Sequence, residues 1–397
     1  MDSPPPSAPT LPPTVRALGW TSFLTDLSSE AIYPLLPAFI TRELGGSALS
    51  VGLIDGVANA VAAVMRLPAG ALSDAMGRRP LVIIGYGLSA LFRPLMALVG
   101  TPAGVLAVRA ADRFGKGIRS APRDALVSDL VEPALRGRAF GHIRGMDHLG
   151  AALGPLVAMA FLLVWPGRER TLFLLSIVPG LATLAVIWAF VHDPPRRPRP
   201  ATTGALAGGL TRSQGMLLVA VAVWALGAAS EQFLLLRAAD MGVRPGLVPA
   251  VWFAVGLVKS GMAHAAGGVI ERWAARGALA AGWLLFAVAH SGLALAGTLP
   301  ATLVSIGLVA AAQGLIEPAE RALVAQLAPP GRVGAGFGWY ALVQGLMAVP
   351  AGLLAGWLWK HHGAGHAFAS AAVLATLACG ILLVAIRPAA VTPEGDP

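Results

Sequence analysis

The feature that most constrains this chain is its alternation. Apolar runs of about 20 residues, the length that crosses a bilayer, recur from end to end with short polar breaks. Twelve can be placed, near residues 17–40, 48–72, 80–99, 103–127, 138–164, 170–192, 213–237, 246–270, 277–297, 301–327, 333–359 and 365–387. Charged residues make up 12% of the 397, about half of the roughly 25% in a soluble domain. The expectation is therefore an all-α membrane protein whose hydrophobic surface faces lipid. The net charge of +9 does not point to nucleic acid, because the arginines gather in the breaks between apolar runs. An even number of crossings puts both termini on one side, and Arg78, Arg79, Arg196, Arg197, Arg199, Arg272 and Arg276 fall there too. Since Lys and Arg concentrate in cytoplasmic loops, both termini are expected in the cytoplasm and the chain in a bacterial inner membrane.

One stretch breaks the pattern. Residues 109–124, RAADRFGKGIRSAPRD, carry Arg109, Asp112, Arg113, Lys116, Arg119, Arg123 and Asp124 amid apolar sequence. Arg109, Arg113, Lys116 and Arg123 recur at helical spacing and form one cationic stripe. Each such charge facing lipid would cost roughly 2.5–3.5 kcal/mol. The stripe must then face water or counter-charge inside a helical bundle, or lie outside the membrane.

An internal repeat decides this. At an offset of 197, Gly70 matches Gly267, Asp74 matches Glu271, Gly117 matches Gly314, and Ala125-Leu126-Val127 matches Ala322-Leu323-Val324. The partner of the charged stretch, starting near Ala301, is plainly a membrane segment, so the charged stretch crosses as well. Repeats of this kind are a transporter signature. The expected organisation is a disordered tail (1–14), a six-helix bundle (15–192), a Pro- and Arg-rich cytoplasmic linker (193–212), a second six-helix bundle (213–387) and a C-terminal tail (388–397).

Three motifs carry a resemblance. Residues 70–80, GALSDAMGRRP, place Gly70, Asp74, Gly77, Arg78 and Arg79 in the order of the loop signature of the major facilitator superfamily; Ala75 stands where that signature has a basic residue. Arg113, Lys116 and Gly117 resemble a second signature of the superfamily, whose Arg is associated with proton transfer. Gly141, Gly150, Gly154 and Pro155 resemble the motif of its proton-coupled drug antiporters. The resemblance implies twelve helices in two pseudo-symmetric six-helix bundles and a gating role for Gly70, Asp74, Gly77, Arg78, Arg79 and the repeat partner Glu271.

Candidate site residues follow from intramembrane charge, which marks function by default. Asp26 and Glu30 lie one turn apart on the first helix, with Tyr33 a turn beyond. At 1.5 Å per residue Glu30 is roughly level with Arg109, and Asp26 and Asp147 roughly with Arg113. The expectation is a buried network of these five, with Asp26, Glu30 and Asp147 carrying protons. Tyr33, Arg109, Arg113, Lys116, Lys259 and Gln313 are expected to bind substrate. The cationic surplus favours an acid-bearing solute. The sequence thus suggests a monomeric secondary transporter in the lipid bilayer, exchanging a small molecule against protons, with neither catalytic residues, metal nor other cofactor. Import of an organic anion or metal chelate by symport or uniport, and a receptor or scaffold role, are the alternatives.

Overall fold

A computed structural model of the chain describes residues 11–132, 136–193, 210–328 and 333–386. The expected tails lie outside these residues apart from 11–14 and the helix ends, as does the linker between 194 and 209. All regular structure among the described residues is helical, and it makes twelve crossings.

Helix α1 (Pro13–Ile32) begins inside the stretch expected as a tail, with proline in its first turn where no amide hydrogen is required. It continues through a tight turn at Tyr33–Leu35, a short turn Leu36–Ala38 and a wide turn Phe39–Glu43. Pro34 and Pro37 lack the amide hydrogens that would keep the ladder regular. There follow α2 (Ala48–Met76), α3 (Arg78–Leu95), α4 (Pro102–Leu130), α5 (Arg136–Val164) and α6 (Glu169–Leu175 with Ile177–Phe190). Helix α7 is also in two pieces, Arg212–Gly227 and Gln232–Asp240. The run Val248–Leu295 divides at Ala274 into α8 (248–273) and α9 (275–295). The remaining helices are α10 (Leu299–Leu327), α11 (Val333–His362) and α12 (Ala364–Ala385). Ten crossings are apolar enough to span a membrane on length and composition. The other two are α1 and α4, where the charge is concentrated.

The offset of 197 holds for helix ends. Pro102–Leu130 maps onto Leu299–Leu327 residue for residue, and α5 and α11 begin at matching positions.

The chain forms two compact units. One comprises Met1–Tyr33, Val64–Val99 and Ala107–Ala201; the other Pro34–Ala63, Gly100–Leu106 and Thr202–Pro397. In the first, α1 packs along α5 and α6. Its core gathers Leu18, Val82, Tyr86, Leu126, Ile143 and Ile187. In the second, α9 packs on α10 and α12 around Trp283, Phe286, Leu279 and Ile316. Lipid is as apolar as these side chains, so association depends on close packing.

The repeat exposes one strained position. Gly77, between α2 and α3, has φ 100° and ψ 160°, a region open to glycine. Its repeat partner is Ala274, at φ 55° and ψ 162°. An alanine there stores about 1–3 kcal/mol, while a glycine costs about 0.5–1 kcal/mol in chain entropy. Ala274→Gly should therefore raise the thermal midpoint in detergent, by about 1 kcal/mol of stability. Gly77→Ala should lower it. A lower midpoint for Ala274→Gly would show that the bend is not strained.

Candidate functional site

In the first unit the site is built on α4, where Arg109, Asp112, Arg113 and Arg119 are all buried. Asp112 is the hub. Arg93 of α3 donates to its Oδ1 from Nε at 3.0 Å and to the Thr25 carbonyl from Nη1 at 2.8 Å. Arg113, Arg109 and Arg119 also interact electrostatically with Asp112. Arg119 Nη1 donates to Ser89 Oγ at 2.9 Å, and its guanidinium lies over the Tyr86 ring at 4.4 Å. A guanidinium over a ring face is held by the ring quadrupole. Arg109 sits in the same way 5.5 Å from the centre of the Tyr33 ring. The break in α1 at Tyr33, caused by the prolines beyond it, sets where that ring stands.

Asp26 lies within electrostatic reach of Asp147, as expected, but the cations nearest these acids differ. Asp26 and Glu30 are half-buried on α1, and both act electrostatically on Lys116, which also feels Arg113 and Arg119. Asp147 instead lies between two arginines outside the expected network. Arg123 Nη1 is 3.7 Å from its Oδ1 and Arg144 Nη1 is 3.5 Å from its Oδ2. Arg123 also donates to Ser22 Oγ at 2.9 Å and pairs with Asp124 at 3.1 Å. Sequence reading missed Arg93 and Asp112 as a pair. The available signal was Asp112 itself, an acid within a cationic stripe that needed its neighbours more than it needed α1.

The glycines of α5 explain how α1 comes so near. A methyl group at Gly150 would run into the Phe23 carbonyl. One at Gly154 would come within 2.7 Å of the Leu27 carbonyl and 3.0 Å of Glu30 Cβ. Pro155, buried beside them, lies inside the helix.

At the α2–α3 turn, Arg78 donates to Ser73 Oγ and reaches Asp129 near the end of α4 at 3.5 Å. The Arg79 amide donates to Asp193 Oδ1 at 2.9 Å. The side chains of Gly70, Asp74, Gly141 and Glu271 lie outside the described residues.

The second unit holds a leaner site. Helix α7 breaks around Ser230, the repeat partner of Tyr33, so both halves interrupt their first helix at the same point. Broken helices of this kind mark binding sites in transporters. Next to the break, Glu231 accepts from Lys259 Nζ at 3.1 Å. A cavity there is lined by Ser230, Glu231, Phe286, His290, Gln313 and Phe368. Gln313 Oε1 is buried there without a hydrogen-bond donor among the described residues. His290 Nδ1 lies 3.0 Å from the Phe286 carbonyl. A carbonyl only accepts, so in the neutral ring Nδ1 carries the hydrogen and Nε2 is an acceptor. Sequence reading singled out Lys259 and Gln313 but missed His290, the repeat partner of Arg93.

Comparison with known proteins is consistent across sequence and fold. The sequence profile described as Major Facilitator Superfamily matches residues 18–265. An uncharacterized MFS-type transporter of Methanocaldococcus jannaschii is 28% identical over 356 residues, covering 87% of this chain and 88% of that protein. Multidrug resistance protein MdtH of Photorhabdus laumondii is 28% identical over 187 residues, 46% of this chain and 45% of that one. Among solved structures, a bacterial homologue of the human lysosomal transporter Spinster, in an inward-facing and unoccupied conformation, superposes with a TM-score of 0.76. It shares 15% identity, covering 94% of this chain and 96% of that one.

The hub makes a graded prediction. Asp112→Asn removes the acid shared by four guanidinium groups and should cost about 3–5 kcal/mol, the effect of leaving buried charge uncompensated. Arg93→Met leaves Asp112 with three cationic neighbours and should cost less. Thermal unfolding in detergent distinguishes the two. Equal losses would make Arg93 the sole effective partner.

Proposed function

Because this chain belongs to the Major Facilitator Superfamily, a family of membrane transporters, we propose that it moves a small acid-bearing organic solute out of the cell in exchange for protons. It is a multi-pass membrane protein and not an enzyme. The observation that carries the finer reading is the arrangement on α4: an excess of buried guanidinium groups within electrostatic reach of half-buried acids on α1. Desolvated guanidinium groups suit carboxylate or phosphate groups of a solute. The ionised acids on α1 and an anionic solute compete for Lys116 and the neighbouring arginines, so an acid that gains a proton releases those cations to the solute. That linkage ties solute binding to protonation of α1 and by itself suits co-transport; exchange as the direction rests on the antiporter-like motif of α5 and the partial likeness to MdtH.

In this reading Asp26, Glu30 and Asp147 bind protons, while Tyr33, Arg109, Arg113 and Lys116 bind the solute. Within the second unit, Lys259 and Gln313, beside the break in α7, bind solute. Gly70, Asp74, Gly77, Arg78, Arg79 and Glu271 control opening; Gly150 and Gly154 hold α5 close to α1 and form the antiporter-like motif with Gly141 and Pro155. In the same reading the domains divide at the linker 193–212 and the termini lie in the cytoplasm of a bacterial cell, which the Arg bias of the loops supports. The partial likeness to multidrug resistance protein MdtH supports efflux as the direction.

Liposomes with an imposed pH gradient and a panel of labelled organic acids and drugs test this. Wild-type protein should accumulate an acid-bearing solute in step with proton flow. Asp26→Asn and Glu30→Gln should lose gradient-driven accumulation yet keep solute exchange at equal pH. Undiminished gradient-driven accumulation in both would end the proton-carrier assignment on α1.

A further inference from the structure

The offset of 197 relates buried polar side chains as well as helix ends. In the first unit, Arg123 of α4 meets Asp147 of α5 and lies against Tyr86 of α3. Their repeat partners are Glu320 of α10, Gln344 of α11 and Trp283 of α9. In the second unit these three also lie together. Gln344 Nε2 donates to Glu320 Oε2 at 3.2 Å, and Trp283 lies against the same carboxyl. The cluster is built twice, with an acid in the second copy where the first has a cation.

Glu320 is 1% exposed. Tyr340 of α11 donates to its Oε2, and Gln344 Nε2 also donates to the Tyr340 hydroxyl at 2.8 Å. The charged or titratable groups around the carboxyl are Tyr340 and, from α10 itself, Glu317 and Arg321; α9 contributes only Trp283. Arg321 is engaged by Glu317 at 2.8 Å, both of them exposed. Among the described residues Glu320 has no ion-pair partner. Its second oxygen, Oε1, is buried without an ordinary hydrogen bond. A buried carboxylate hydrogen-bonded only by neutral donors bears a large desolvation cost, and the exposed, Glu317-paired Arg321 is the smallest of the influences on it. The neutral acid avoids that cost.

We propose that Glu320 is a proton-binding site of the second unit, loaded and emptied during the transport cycle. This rests on the proton-coupled reading above and adds a carboxyl that the superfamily motifs do not include. The proton is carried on Oε1, because Oε2 already accepts from Tyr340 and Gln344. Binding adds one proton to one oxygen and breaks no other bond. Glu320 lies about 10 Å before the end of α10, at 1.5 Å per residue. That end is on the side of the membrane that carries the termini, so the site exchanges protons with that side.

Infrared spectroscopy of the purified protein across a pH titration tests the site directly. A protonated carboxyl has its own C=O stretching band, distinct from carboxylate. Wild type should show such a band that disappears on alkaline titration. Glu320→Gln should remove one carboxyl equivalent of it, Tyr340→Phe should shift that component, and Asp26→Asn and Glu30→Gln should leave that component in place. Glu320→Asp, which keeps the group, should retain a shifted band and guards against loss through misfolding. In liposomes Glu320→Gln should lose gradient-driven accumulation and keep exchange at equal pH. A band of undiminished intensity in Glu320→Gln overturns the site, as does unchanged gradient-driven accumulation in that variant. The α1 variants fail or succeed separately: if they transport normally while Glu320→Gln loses its band, coupling through α1 is wrong and proton binding at Glu320 stands.

Discussion

Charge that crosses a membrane must find its compensation inside the protein, and on α4 this one requirement organises the first unit. Three buried arginines, with the half-buried Arg123 and Lys116, could not face lipid, so α1, α3 and α5 supply what they need. Arg93 and Asp112 pair at 3.0 Å. Tyr33 and Tyr86 offer ring faces. Asp147 takes up Arg123 and Arg144. The helix that looks least like a membrane span is thereby tied through its charges to three of its neighbours.

The second unit meets the same geometry with far less charge. Its fourth helix, α10, matches α4 end for end, yet Arg113 is replaced by Ala310 and Lys116 by Gln313. What persists is the architecture: a first helix broken at the same place, and polar side chains on α9, α10 and α11 that meet in the interior. Duplication fixed the frame, and the charge within it has since diverged.

Much of this was legible in the sequence. The apolar runs give twelve crossings because bilayer thickness dictates their length, and the repeat shows that the charged stretch is one of them. The intramembrane residues Asp26, Glu30, Arg109, Arg113 and Lys116 stood out for the same reason. Their pairing was less legible. Counting residues fixes depth but not rotation about the helix axis, and the prolines after Tyr33 alter that rotation. Asp147 is within electrostatic reach of Asp26, which the count puts level with it, but its 3.5–3.7 Å neighbours are Arg144 and Arg123. Glu320 escaped notice because it sits in the phrase Glu317-Pro318-Ala319-Glu320-Arg321 near a helix end, which reads as edge charge. Only packing distinguishes it from Glu317, which is exposed.

Gly150 and Gly154 bring α5 against the carbonyls of Phe23 and Leu27 with no side chain between. Backbones in such contact interlock like the teeth of a zip and resist sliding lengthwise, since any shift drives a carbonyl into a neighbouring turn. Helices α1 and α5 must then travel as a single lever in any gating motion. Glu30 and Asp147 would keep a constant spacing along it, and the pivot has to be sought in less tightly meshed parts of the unit.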